Sequence, residues 1–466
     1  MSHPSPIHAQ SWQTTVDKPA SRRLAELLVH LSGKSDASDN NVDKCSQVIH
    51  NIIQKYDSVW PRLDSRIVQP VSRERVVVTG TTGALGSHLL AQLLESDKVE
   101  KVWAMNRKSS RENKEREVLS FEDKLLDVSL LKSKKLVFVD ADLEDRRLGL
   151  CDGMYDEIRS EATLIIHNAW EVNFNLSLKS FEPNICGTRN LLDFAFHSIA
   201  PTGLPRFAFA SSITVAGFRF NGMHLSESSV SLEDGATSIG YGQSKLITEK
   251  LLESARYAGL PTCIVRIGQL AGDVKSGSWS TTDWVPSLIL SSISVGCLPG
   301  ALGVVSWLPL DVAARSTIEL CVGRNVELPL VAYVSHPRPV SWMAIINAFS
   351  TSIASRTGSQ LPIVRFDEWN KHMAEAVVSF HGSKRDCNKH FPITKIQSLI
   401  DQAVQADNML RLKGEVDHAE FGGLITLETT VAESFSETLR STPRLGMEHV
   451  EKWIDYWKSV GFFKYV

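Results

Sequence analysis

The sequence predicts an α/β fold built on a doubly wound parallel sheet, followed by a smaller, mostly helical C-terminal part. Three observations carry this expectation. From Arg75 onward, short β-branched runs alternate with longer amphipathic stretches. Several runs are apolar without clean polar alternation, as strands covered on both faces are. The first run leads straight into a glycine-rich turn that opens an apolar helix.

In order, the runs are Val76–Thr79, Lys101–Met105, Leu136–Val139, Thr163–His167, Arg206–Ala210 and Pro261–Arg266. Their regular spacing favours one sheet, although 466 residues would accommodate several domains of ~150 residues. Ahead of them, residues 1–72 carry Ser, Asp and Asn clusters around two helical patterns, Ala25–Leu31 and Val42–Tyr56. This reads as a helical lead-in whose first twenty residues are disordered. Beyond about residue 270 the alternation weakens. Leu328–Val334 is a candidate to return to the sheet, and helical patterns follow at Trp342–Ile353, Glu368–Val378, Ile393–Leu410 and Glu448–Ser459.

The composition narrows the function classes. Lys and Arg number 50 against 53 Asp and Glu, a net charge of −3, which gives no reason to expect nucleic acid or an anionic membrane as partner. The 7 cysteines are scattered with no C-x-x-C pair, which fits a reduced cytoplasmic setting and no metal site. Residues 1–10 have neither the basic nor the apolar region of a signal peptide. Trp284–Leu310 lacks charged residues, but Pro286, Gly296, Pro299, Gly300, Gly303 and Pro309 would break a spanning helix, and Asp283 and Asp311 flank it. The expectation here is a buried, loop-rich substrate wall.

The turn after the first strand reads Gly80-Thr81-Thr82-Gly83-Ala84-Leu85-Gly86. Glycines let the backbone approach a pyrophosphate, whose charge then rests on amides at the helix N-terminus. Where the second strand ends, an NAD-preferring site places an acidic residue for the ribose; this chain has Arg107 and Lys108, which fit a 2′-phosphate and point to NADPH. Asp142, followed by Leu143 at the end of the third strand, is placed to accept from the adenine amino group. His167, Asn168 and Ala169, after the fourth strand, are placed to line the cofactor channel, although a lone His or Asn at a strand end is more often hydrogen-bonded structure.

Ser212 stands at the C-terminal end of the fifth run, just after it, and Tyr241 and Lys245 follow as i,i+4 neighbours on one helix face. The lysine charge is expected to lower the phenol pKa from about 10 toward working pH, with Tyr241 as proton donor and Ser212 as oxyanion clamp.

Gly80–Gly86, His167-Asn168-Ala169, Asn184 with the segment 187–192, Ser212, and Tyr241 with Lys245 together resemble the extended short-chain dehydrogenase/reductase superfamily over roughly residues 73–275. Met105-Asn106-Arg107, the segments 266–272 and 279–289, and Leu298-Pro299 followed by 305–311 narrow the likeness. They are similar to the thioester reductase domains that end many nonribosomal peptide synthetases, polyketide synthases, carboxylic acid reductases and fungal aminoadipate reductases. The likeness runs to about residue 345 and more faintly beyond.

The resemblance implies a Rossmann sheet over 73–275 and a substrate subdomain over 276–466. It implies NADPH-dependent reductive release of an acyl or peptidyl thioester from the phosphopantetheine arm of a carrier protein, giving an aldehyde, with or without further reduction to the alcohol. Ser212, Tyr241 and Lys245 would be catalytic. Gly80, Thr82, Gly83, Ala84, Leu85, Gly86, Arg107, Lys108, Asp142, Leu143, Asn168, Ala169 and Ile267 would join Tyr241 and Lys245 in holding the cofactor.

Two departures matter. Ser212 stands where members often carry Thr, and either hydroxyl donates. No carrier or adenylation domain precedes the motifs, so the substrate is expected on another protein unless the chain is a piece of a larger synthase. Relatives that perform Dieckmann cyclisation have lost the tyrosine, and Tyr241 argues against that outcome. The alternative within the superfamily is an NADP-dependent reductase or epimerase of a free small molecule. Four further readings stay open: Arg266 facing the cofactor or bracing a loop, Trp279, Trp284 and Trp307 lining a pocket or forming core, Trp453 and Trp457 as packing, and Lys44, Lys55 and Arg62 docking an acidic carrier or merely solvated.

Overall fold

A computed structural model describes residues 39–57, 59–61, 69–216, 225–236, 238–322, 327–414, 419–423 and 426–463. The Ala25–Leu31 pattern, the first twenty residues and Arg62 lie outside the described residues. The second lead-in pattern forms helix α1 (Asp39–Tyr56).

The expected alternation then appears: β1 (Glu74–Thr79), α2 (Ala84–Glu95), β2 (Val99–Arg107), α3 (Asn113–Asp123), β3 (Leu136–Ala141), α4 (Asp152–Glu161), β4 (Leu164–His167), α5 (Glu182–Phe196), β5 (Arg206–Ser212), α6 (Gly240–Tyr257) and β6 (Thr262–Ile267). After α7 (Trp284–Val295) and α8 (Leu310–Cys321), the chain does return to the sheet as β7 (Val331–Val334). The seven strands lie in the order β7-β6-β5-β4-β1-β2-β3, and every pair is parallel. Strand order reverses between β1 and β4, which opens a crevice beyond their C-terminal ends.

Every residue of β4, β6 and β7 is buried, which is why their sequences are mostly apolar, with Thr262, Arg266 and His167 the polar exceptions. Leu89, Leu93, Ala313 and Ile318 of α2 and α8 cover one face of the sheet. Ile158, Leu191, Leu251 and Ile49 cover the other, so α1 belongs to that layer. Burial on this scale contributes roughly 25 cal/mol for each Å² of apolar surface removed from water.

The longer helices that follow are α9 (Trp342–Thr357), α10 (Phe366–Val378), α11 (Gln397–Lys413) and α12 (Met447–Ser459). With α7 they enclose a separate aromatic core containing Trp279, Trp307, Trp342, Trp369, Trp453 and Trp457. Helix α12 is pressed hard against the chain leaving β6. A Cβ at Gly272 would come within 2.5 Å of the Trp453 ring, and Trp457 Nε1 donates to Trp279 O at 3.0 Å.

The uncharged run is less loop-rich than its prolines implied, since Trp284–Val295 is helical. Pro286 sits in the first turn, where its missing N–H has no intrahelical acceptor to lose. Gly296 ends the helix at φ 88°. Among the described residues, no helix is long and apolar enough to cross a membrane.

Candidate active site

The sequence-predicted cofactor and catalytic residues converge on the C-terminal edge of the sheet. Gly80 leaves β1 with φ 73°, and a Cβ there would meet Ala169 Cα at 2.7 Å. A Cβ at Gly86 would lie 2.0 Å from Gly80 O. Both positions therefore require glycine. Gly83 caps α2 in extended conformation without a side-chain cap, so the first-turn amides after Thr82 and Gly83, from Ala84, Leu85 and Gly86 onward, suit an anion. This cradle fits a dinucleotide pyrophosphate.

The crevice edges are tied together by one proton chain. Thr79 Oγ1 accepts from the amides of Asn168 (3.1 Å) and Ala169 (2.9 Å), so its own proton goes to His167 Nδ1 at 2.8 Å. His167 must then donate from Nε2 to Thr188 Oγ1 at 2.9 Å, and Thr188 donates to Asn184 O at 3.0 Å. Burial holds the imidazole neutral, with its pKa down to about 3. His167 is thus structural, while Asn168 Nδ2 donates to Gly80 O at 3.1 Å and fixes the turn.

Arg107 ends β2, and its side chain and that of Lys108 are exposed. Arg116 of α3 joins them: its Nη2 donates to Arg107 O at 2.8 Å and lies 3.8 Å from Asp140 Oδ1. Charge spacing did not single out Arg116 because only the fold brings α3 beside the end of β2. Asp142 is exposed and also accepts from Glu144 N at 3.1 Å, while Leu143 is anchored by Asn190 Nδ2, which donates to its carbonyl at 2.8 Å.

Ser212 and Ile267 are register partners at the ends of β5 and β6, so both reach the same edge. Tyr241 and Lys245 lie one turn apart on α6, both buried. Phe174 and Phe181 pack edge-on against the Tyr241 ring at 5.3 and 6.0 Å. Lys245 Nζ donates to Ala210 O at 2.6 Å and lies 4.2 Å from the Trp170 ring centre.

One electrostatic expectation is reversed. Burial pushes the Tyr241 phenol up to about 12, and the hydrogen bond with Ser212 opposes it only in part. Burial also drives Lys245 well below the ordinary lysine value, with Glu249 opposing. In a dry pocket the cost of desolvating each charge outweighs their mutual effect.

Arg266 points into the protein interior and is closed off from the crevice by its partners. It is fully buried, paired at two points with Glu249 of α6, and donates through Nη1 to Tyr333 Oη at 2.7 Å and to Ser228 O at 2.9 Å. Through Ser228 O it holds the stretch of chain around that residue. Trp279 and Trp307 are core, packed on Trp453, whereas half-buried Trp284 donates to Gln269 Oε1 at 2.7 Å. Trp453 and Trp457 are packing residues. Lys55 is held by Glu182 rather than free, and Lys44 is exposed.

Comparison with known proteins agrees with this geometry. Residues 78–317 match the family model described as Male sterility protein (NAD_binding_4). Adenylate-forming reductase Nps11 of Serpula lacrymans is 35% identical over 96% of this chain and 41% of its own length. A carboxylic acid reductase of Neurospora crassa is 30% identical over 97% of this chain and 41% of its own length. This chain thus spans about two fifths of those relatives. Among solved structures, the terminal R domain of the myxalamid PKS-NRPS pathway superposes with TM-score 0.71 at 20% identity, covering 88% of this chain and 98% of that domain. A thiolation-reductase di-domain from an archaeal nonribosomal peptide synthetase superposes with TM-score 0.63 at 19% identity, over 94% and 85%. The sheet order, the glycine turn and the Ser212, Tyr241 and Lys245 edge, together with these matches, bear out the resemblance read from the motifs: the chain belongs to the Male sterility protein family of NAD-binding domains, with the fold of extended short-chain reductases.

Proposed function

We propose that this protein reduces an acyl or peptidyl thioester, delivered on the phosphopantetheine arm of a carrier protein, to an aldehyde with NADPH. The observation that carries the reading is the convergence of Ser212, Tyr241 and Lys245 on the edge where the glycine turn lies. The names of the relatives and the thiolation-reductase di-domain support the substrate class. In this reading residues 73–275 hold the cofactor, and residues 276–466 receive the acyl group.

The cofactor, when bound, supplies the hydride to the thioester carbonyl. Gly80 to Gly86 would hold its pyrophosphate, Arg107 and Lys108 its 2′-phosphate, Asp142 and Leu143 its adenine end, and Asn168, Ala169 and Ile267 the channel toward the nicotinamide. Tyr241, with its phenol near 12, stays protonated through the neutral range and gives its proton to the developing oxyanion. Ser212 hydrogen-bonds the same oxygen. Lys245 orients the ribose. The hemithioacetal then collapses, its C–S bond breaking to release aldehyde and carrier thiol. No step distinguishes a first from a second reduction, so the alcohol is open to the same residues.

The test is to incubate the chain with acyl-carrier and acyl-phosphopantetheine thioesters, following NADPH oxidation and trapped aldehyde. Cofactor oxidation with aldehyde in the trap is the expected result. Turnover of sugar nucleotides or free ketones with inert thioesters would favour the small-molecule alternative instead.

A further inference from the structure

Beneath the glycine turn lies a polar cluster that neither the catalytic nor the cofactor assignments use. Glu117 of α3 is wholly buried. Its Oε1 accepts from Thr81 Oγ1 and, at 3.0 Å, from Asn106 Nδ2, while its Oε2 is buried with no hydrogen-bond partner. Asn106 Nδ2 also reaches Thr81 Oγ1 at 2.7 Å and Asn113 Oδ1 at 2.9 Å, and Asn113 Nδ2 donates to Val139 O at 3.1 Å. One turn along α3, Ser120 Oγ donates to Thr82 O at 2.8 Å. This cluster links the glycine turn, the residue before Arg107 and the strand leading to Asp142, which are the three places assigned to the pyrophosphate, the 2′-phosphate and the adenine.

We propose that Glu117 is a positioning residue for the dinucleotide: it fixes the glycine turn and the Arg107 strand end in one geometry, and it takes a proton from solvent onto Oε2 when an anionic dinucleotide settles on the turn. The inference rests on the cofactor reading above. Burial already raises the Glu117 carboxyl above its ordinary value, while Thr81, Asn106, Arg116 and Lys124 pull the other way. The cations that bear on it are Arg116 of its own helix and Lys124 just past that helix's end, neither bonded to it. From α2, His88 is buried and held neutral near 4. A pyrophosphate on the adjacent amides adds negative charge close to a carboxylate that has no bonded cation, so the acid form gains on binding. Protonation at Oε2 leaves Oε1 free to keep accepting from Thr81 and Asn106.

The test is calorimetric titration of the full chain with NADP⁺ in buffers of different ionisation enthalpy, between about pH 6 and about pH 8.5, for wild type, Glu117→Gln and Glu117→Ala. Thermal melts confirm that each variant is folded. Wild type is expected to take up more protons per dinucleotide than Glu117→Gln, and to lose affinity more steeply as pH rises. Taking this as a difference between the two proteins cancels the titration of the 2′-phosphate itself. Glu117→Gln, neutral at every pH, is expected to keep its affinity, and Glu117→Ala to weaken binding about tenfold. Equal proton counts in wild type and Glu117→Gln, or full affinity in Glu117→Ala, would overturn the role of Glu117 while leaving the cofactor reading intact. A folded wild type that binds no dinucleotide would overturn both.

Discussion

Arg266 and Glu249 form a two-point ion pair, Nη2 to Oε2 at 2.8 Å and Nε to Oε1 at 3.0 Å, with both side chains completely out of solvent. Glu249 lies one turn beyond Lys245 on α6, and Ser211, the neighbour of Ser212, donates to its Oε1 at 2.5 Å. The pair therefore clamps β5, β6 and the catalytic helix together from behind. Arg266→Met alone leaves Glu249 charged and unpaired, and is expected to destabilise the fold by about 3–5 kcal/mol. The double variant Arg266→Met with Glu249→Leu is expected to recover much of that. Urea midpoints of the two proteins check this; equal losses would mean that the charge pairing contributes nothing.

Tyr241→Phe keeps the ring contacts with Phe174 and Phe181 but removes the proton donor. Reductive turnover should fall by about 10²- to 10⁴-fold, while NADPH binding, read by fluorescence, stays unchanged. A variant with undiminished turnover would mean that the proton comes from another group.

For cofactor choice, Arg107 and Lys108 are the informative pair. Replacing both with Ser should raise KM for NADPH by about 10- to 100-fold, through loss of charge-assisted bonds, with little change for NADH. Parallel loss with both cofactors would show that these side chains shape the loop instead of reading the phosphate.

His167 gives the acid limb of stability a definite sign. Its imidazole has a pKa near 3 when folded and near the ordinary 6.5 when unfolded. Between those values the unfolded chain binds the extra proton, so this contribution is full above pH 6.5 and is lost as pH falls toward 3. Denaturant midpoints measured from neutral to acid pH should therefore fall less steeply in His167→Gln than in wild type. An identical slope would place the acid sensitivity in other groups, such as His88 and His336, both held near 4.

The strands were readable because a parallel strand covered on both faces is mostly apolar. Their C-terminal ends were under-read: Asn106, Arg107, Ser211 and Ser212 are polar residues that belong to strands because chemistry is displayed there. Motif spacing likewise located the glycine turn, Tyr241 and Lys245. The clearest miss was Glu117. Helix α3 is rich in charge and reads as a solvated surface helix, yet Asn113, Glu117 and Ser120 face inward. Only the sheet order, which lays α3 beside the turn, turns that polar stripe into a site. The tryptophans failed differently, since composition could not tell a pocket lining from the core that Trp279 and Trp307 enter.

The seam between Trp279 and Trp457 has a consequence for the order in which the chain matures. Its partners stand 178 residues apart, so during synthesis the aromatic core cannot close until α12 has left the ribosome. At about 5–20 residues per second, six of the seven sheet strands, β1 to β6, have many seconds in which to form first. The tryptophan-bearing segments meanwhile stay uncovered, so the strands that carry the glycine turn can pair before the aromatic half is able to condense.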